Sequence, residues 1–125
     1  MKIKRFISDI WLYRNDFKRS RYYLSCITSD NIYRCILFEP SNEDLTELDC
    51  YISTNTYLSH KTLDLYINDA IDQLGDKWFS IRAANYKLDR NRLVNWLYNI
   101  DIVNMTQNWH KLGIIDTKEF KFNHK

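Results

Sequence analysis

The chain contains very little glycine and proline. Among its 125 residues there are two glycines, Gly75 and Gly113, and one proline, Pro40. Most phosphate-binding loops need glycine where the backbone approaches the phosphate closely, so this scarcity argues against a nucleotide-dependent enzyme. It also argues against the long irregular loops typical of all-β proteins. We therefore expect helices to supply much of the structure.

The chain also lacks the spacing motifs of metal sites and of catalytic centres. His60, His110 and His124 lie far apart, and none has a second His or Cys three or four residues away, so the spacing of a zinc site is absent. Asp69 and Asp72 share a face of a predicted helix, as an acid–base pair would, but polar helix surfaces commonly carry such pairs. We therefore expect no metal, no cofactor and no enzymatic activity.

Cysteine is scarce, and long apolar runs are missing. Cys26, Cys35 and Cys50 are odd in number and form no CxxC motif, which favours buried thiols in a cytoplasmic protein. Near the amino terminus, Asp9 and Arg14 interrupt the apolar residues. The sequence therefore predicts neither a signal peptide nor a membrane span.

The most specific local pattern is a β-hairpin over residues 22–39. Two apolar runs flank a polar segment in which Asp30 and Asn31 form a candidate two-residue turn, because both residue types tolerate positive φ. Such a turn places Cys26 opposite Cys35 at a pair where side chains approach closely. A disulfide between these two cysteines is the alternative to free thiols.

Both faces of this hairpin are largely apolar. A half-exposed hairpin alternates apolar with polar residues, so we expect this one to be covered on both sides by helices, further strands or a partner. The composition, 45% hydrophobic and 15% aromatic, argues against disorder. We expect residues 1–125 to form a single globular domain.

Helical spacing of apolar residues recurs along the rest of the chain. Ile3, Phe6, Ile7 and Ile10 predict an amphipathic helix over residues 2–16, with a strand over residues 10–13 as the competing interpretation. A second helix is predicted to begin at Ser59, an N-cap residue, and to end at Gly75. A third is predicted from Asp89 to Ile100, and a short fourth from Asn104 to Leu112 with Gly113 as its stop.

Alternation over residues 50–54 predicts a third strand, and Ile114 begins a possible closing strand. The predicted fold is therefore α+β. It has a small antiparallel sheet built on the central hairpin, an N-terminal helix, and two to three further helices packed on the sheet.

Charge is distributed unevenly along the chain, although the net charge is only +2. Residues 1–21 hold seven basic and two acidic side chains, residues 39–76 one basic and nine acidic, and residues 77–125 nine basic and four acidic. In one interpretation the acidic and basic segments lie against each other in the fold. In the other, the acidic segment forms a surface that attracts a basic partner.

By exclusion, the sequence favours a small cytoplasmic, non-enzymatic inhibitor, either monomer or homodimer. Its expected partner is a cognate basic protein such as a toxin nuclease, which immunity proteins and phage anti-defence proteins neutralise. The carboxylates would guide encounter, and exposed aromatic side chains would anchor the complex. The predicted partner-binding residues are Glu43, Asp44, Glu47, Asp49, Tyr51, Tyr57, Asp64, Tyr66, Asp69 and Asp72.

A nucleic-acid-binding regulator is the alternative function. Basic side chains lie near aromatic ones that could stack on bases. These residues are Arg82, Lys87, Arg90 and Arg92 around Tyr86 and Trp96, and Lys18, Arg19 and Arg21 before Tyr22 and Tyr23. The acidic block would repel phosphates, and Tyr86 and Trp96 are expected in the core.

Overall fold

The computed structural model describes residues 1–13, 21–42, 46–54, 59–74, 79–81 and 90–116. Within them lies a six-stranded antiparallel sheet with the order β5-β1-β2-β3-β4-β6. The strands are β1 (Ile3–Tyr13), β2 (Arg21–Thr28), β3 (Tyr33–Pro40), β4 (Glu47–Ser53), β5 (Phe79–Ile81) and β6 (Trp109–Asp116). The helices are α1 (His60–Leu74) and α2 (Arg90–Tyr98). Neither helix is long and apolar enough to cross a membrane.

One helix packs on each side of the sheet. The side that carries Tyr23 and Cys35, which we call the α1 face, forms an apolar cluster with Leu63 and Ile67 of α1. The opposite side, the α2 face, carries the larger cluster, with the following buried members: Tyr22, Leu24, Ile36, Phe38, Leu48, Cys50, Ile52, Leu93 and Leu97. The prediction that the central hairpin is buried on both faces is therefore confirmed.

The prediction of an N-terminal helix is wrong, because residues 3–13 form strand β1. Two register shifts against β2, between Ile3 and Arg5 and between Phe6 and Ser8, insert extra residues into the strand. An extra residue changes the two-residue alternation of a strand into a three-residue step. Ile3 and Phe6 therefore lie on the same face of the sheet. They are three positions apart in the sequence, which is also a spacing found on one face of a helix.

The predicted short helix over residues 104–112 is also wrong, since β6 begins at Trp109. Leu112 is the extra residue in a register shift against β4. Trp109 packs on the cluster under α1 and Leu112 on the α2-face cluster, so the three-residue step between them does not mark a common apolar face. Gly113 does not stop a helix. It lies inside β6, where an added Cβ would make an ordinary van der Waals contact with the Trp96 ring at 3.4 Å.

The hairpin is present, but its predicted register is wrong by one residue. β2 and β3 pair Ser25 with Cys35 and Cys26 with Arg34. The turn holds three residues rather than two, with Asn31 at φ 64° and the Thr28 amide donating to the Ile32 carbonyl at 3.1 Å. This is the loop in which a type I turn is followed by a left-handed residue.

Arg34 is buried and ties this turn to the sheet. Its Nε donates to Thr28 Oγ1, its Nη1 to the Ser53 carbonyl and its Nη2 to Asp30 Oδ2, each at 3.1 Å. A buried guanidinium needs such partners, because an unpaired charge away from water is strongly destabilising.

The predicted fold, a small sheet with an N-terminal helix and two to three further helices, is therefore wrong, because the described residues form a six-stranded sheet and only two helices. The predictions of β4 and α1 are confirmed. The β4 strand spans Glu47–Ser53 and α1 spans His60–Leu74, with Ser59 Oγ accepting from the Thr62 amide at 3.3 Å as an N-cap does. Leu93 and Leu97 of α2 point into the core as predicted. The predicted cap residues Gly75 and Asp89 lie outside the described residues.

The register also excludes the disulfide alternative, because Cys26 and Cys35 lie on opposite faces of the sheet. All three thiols are free and buried. Burial raises the pKa of Cys26 to about 12 and those of Cys35 and Cys50 well above the ordinary value. Reactive thiolate is therefore scarce in the folded protein.

We expect a thiol reagent such as Ellman's to modify no cysteine in the native protein at neutral pH. In denaturant without reductant, all three cysteines should react. Fewer than three reactive thiols in denaturant would reveal a disulfide, and rapid reaction of the native protein would contradict the burial of these side chains.

Candidate functional site

The register of β4 determines which acidic side chains share a surface. β3 and β4 pair Leu37 with Tyr51 and Glu39 with Asp49. Leu37 packs in the cluster with α1, so Tyr51, Asp49 and, by alternation, Glu47 project on the α1 face. The acidic residues predicted on β4 and those on α1 therefore lie on one side of the sheet.

Two of the carboxylates on this face pair with basic residues of the same chain. Glu39 and Asp49 lie directly opposite each other on adjacent strands, an arrangement of like charges that is destabilising by itself. Arg21 Nε lies 3.6 Å from Glu39 Oε2, and Lys111 Nζ lies 2.9 Å from Asp49 Oδ1. Among the described residues, Asp49 Oδ1 is buried and has no well-aligned hydrogen-bond donor, so Lys111 is its counter-charge.

These pairs connect the acidic middle of the sequence with both basic segments, as the first interpretation of the charge pattern expected. That interpretation holds for Glu39 and Asp49. It does not hold for Glu47, Asp69 and Asp72, which are exposed and form no ion pair with any residue in the described part of the chain.

Asp64 has a structural role on α1. Its Oδ1 accepts from Ser8 Oγ at 3.3 Å, and its Oδ2 lies 3.4 Å from His60 Nε2. Ser25 Oγ lies 2.8 Å from Ser8 Oγ, accepts from the Ser8 amide and donates to the Ser8 carbonyl. This network fixes α1 to the irregular part of β1.

The same network lacks the geometry of a Ser–His–Asp catalytic centre. In such a centre the imidazole lies between the carboxylate and the nucleophilic hydroxyl, so that it can accept the hydroxyl proton. Here the carboxylate of Asp64 lies between Ser8 and His60. The arrangement can hold a helix in place, and His60 cannot activate Ser8 through it.

Leu65 is the most exposed of the large hydrophobic side chains described on α1, at 59%. It precedes Asp69 by four residues and Asp72 by seven, so the three side chains lie along the same outward side of the helix. The sequence analysis missed Leu65. The available signal was its position off the apolar stripe that faces the core.

The remaining predicted site residues divide into three groups. Glu43, Asp44 and Tyr57 lie outside the described residues. Tyr66 is half-buried and packs on the apolar cluster under α1, so its ring contributes mainly to core packing. Tyr51 is half-buried on the open part of the α1 face.

The electrostatic environment of Tyr51 is negative. Partial burial is the main cause that raises its pKa, and the charges of Asp49 and Glu39 raise it further while Lys111 opposes them. Among the described residues of the α1 face, including α1 itself, acidic side chains outnumber basic ones. The acidic residues are Glu39, Glu47, Asp49, Asp64, Asp69, Asp72 and Asp116, and the basic residues are Arg5, Arg21, Lys61 and Lys111.

The described residues include no group of three or more His, Cys, Asp or Glu side chains that could hold a metal ion. No family model, no curated protein and no solved structure matches the chain. The site must therefore be interpreted from its own geometry.

We expect Asp49→Asn to lower the pKa of Tyr51, because it removes a carboxylate that raises this pKa and releases Lys111. The ring Cζ shift of Tyr51, followed by NMR across alkaline pH, measures the effect. Asp101→Asn is the control, since Asp101 pairs with the Met1 ammonium and should leave Tyr51 unchanged. An unchanged or raised pKa in Asp49→Asn would contradict the described site.

Proposed function

We propose that the protein is a non-enzymatic cytoplasmic inhibitor that binds a cognate basic protein, such as a toxin nuclease, in the manner of an immunity or anti-defence protein. One observation carries this proposal. The exposed Leu65 lies beside Asp69 and Asp72 on the outward side of α1, on the face where acidic side chains outnumber basic ones.

The two kinds of side chain have different parts in the proposed encounter. Asp69 and Asp72 are exposed, so their field extends into solvent and raises the association rate of a basic partner. Leu65 acts only at contact, where burying its side chain slows dissociation. Asp49 pairs with Lys111, and Asp64 accepts a hydrogen bond from Ser8. These two carboxylates therefore stabilise the fold and contribute little to steering.

One observation weighs against the nucleic-acid alternative. Trp96, a candidate for stacking on bases, packs over Gly113 and against the core cluster on the α2 face. Its ring is therefore engaged inside the fold. Arg82, Tyr86 and Lys87 lie outside the described residues.

To test the proposal, the tagged protein is used to capture its partner from lysate of the cells that express it, and the identified partner is purified. We expect a basic protein in stoichiometric amount. Asp69→Asn with Asp72→Asn should slow its association about tenfold at low salt, because the steering field is weakened. Leu65→Ala should instead accelerate dissociation.

The matched control is Asn95→Lys with Gln107→Lys, which changes the net charge by the same amount at exposed positions away from α1. It should leave association nearly unchanged. Equal slowing by both double variants would show that only net charge matters and would refute a specific α1 surface. Recovery of nuclease-sensitive material instead of a protein would favour the nucleic-acid regulator.

A further inference from the structure

The α1 face is covered unequally. α1 packs over β2 and β3. On the α1 face of β4 and β6, Ile114 is 53% exposed and Glu47 and Lys111 are exposed, whereas Tyr51 and Trp109 are partly buried and Ser53 is buried. On the opposite face of the same strands, Leu48 and Ile115 are 2% and 1% exposed. No described residue covers the β4–β6 half of the α1 face, which we call the open shelf.

The open shelf has an apolar and aromatic floor. Leu37 and Trp109 are partly buried and pack on the cluster under α1. Tyr51 is half-buried and pairs with Leu37 of β3 on one side and with Lys111 of β6 on the other. Ile114 is exposed on the edge strand β6. Accessible aromatic and aliphatic groups on a solvent-facing sheet are typical of interaction surfaces, particularly when charged residues surround them.

The charges around the open shelf determine which kind of binding partner is favourable there. In the part of the chain that the structure describes, the acidic residues around it are Glu39, Glu47, Asp49 and Asp116, and the basic ones are Arg21 and Lys111. A second copy of the chain would bring the same excess of negative charge against it, which opposes association. A basic segment is complementary, because the exposed Glu47 forms no ion pair with a described residue, and the ring of Tyr51 offers an ammonium or guanidinium group a cation–π contact.

We propose that the open shelf binds a basic segment of the partner protein, with an Arg or Lys side chain of that segment on the ring of Tyr51 and an apolar side chain against Ile114. The inference rests on the proposed function, because it assigns a second contact to the same inhibitory complex.

NMR titration of the isotope-labelled full-length protein with a short synthetic peptide that alternates Arg with Val tests the shelf directly. We expect shift changes concentrated at residues 47–51 and 109–116. Tyr51→Ala with Ile114→Ala should weaken peptide binding roughly threefold to tenfold, as loss of one cation–π contact and one small apolar contact predicts. Tyr98→Ala with Val103→Ala removes an exposed aromatic and an exposed aliphatic side chain elsewhere and should leave binding unchanged.

Each other outcome overturns the inference in a recognisable way. The shift changes could instead be confined to the outward side of α1, around Leu65 and Asp69. This result would be compatible with the proposed function but would contradict binding at the open shelf. Shifts at the shelf that depend on protein concentration without peptide would identify a second copy as the occupant. Equal binding of a peptide that alternates Glu with Val would refute the charge argument.

Discussion

The turn between β2 and β3 is the constraint on which the rest of the structure depends. Asn31 adopts φ 64°, and this left-handed residue makes the loop three residues long instead of two. Arg34 reinforces the loop from the buried side through Thr28 and Asp30. A slip of one residue would turn every side chain of β3 to the other face, and β4 and β6 would follow through their pairing.

The location of charge is a consequence of that register. Because Leu37 packs under α1, Glu39 lies on the same face, and its neighbour Asp49 on β4 must lie there as well. Lys111 then faces Asp49 from β6. The acidic segment thus divides into carboxylates that compensate basic residues within the fold and carboxylates on α1 that remain in solvent. This division is why Asp69 and Asp72, rather than Asp49, carry the proposed steering.

Sequence patterns predicted the elements whose periodicity is regular. α1 has an uninterrupted apolar stripe and a Ser59 cap, and β4 alternates without a break, so both were recognised. β1 contains extra residues at register shifts, which produced a helical spacing and a wrong assignment. In β6, Trp109 and Leu112 are three positions apart but pack on opposite faces of the sheet, so their spacing was misleading. The predicted length of the turn was wrong, because Asp30 and Asn31 are compatible with both two-residue and three-residue loops. Leu65 and the open shelf could not be predicted, because exposure depends on which strands α1 covers.

The cross-strand proton contacts of the hairpin test the central claim most directly. The Thr28 amide bonds the Ile32 carbonyl, so alternation makes Ser25 and Cys35 a non-hydrogen-bonded pair, in which the two Cα atoms lie about 4.5 Å apart. The structure predicts a strong nuclear Overhauser effect between the Hα atoms of Ser25 and Cys35. A strong effect between the Hα atoms of Cys26 and Cys35 instead would show a two-residue turn, and the acidic face described for β3 and β4 would be on the other side of the sheet.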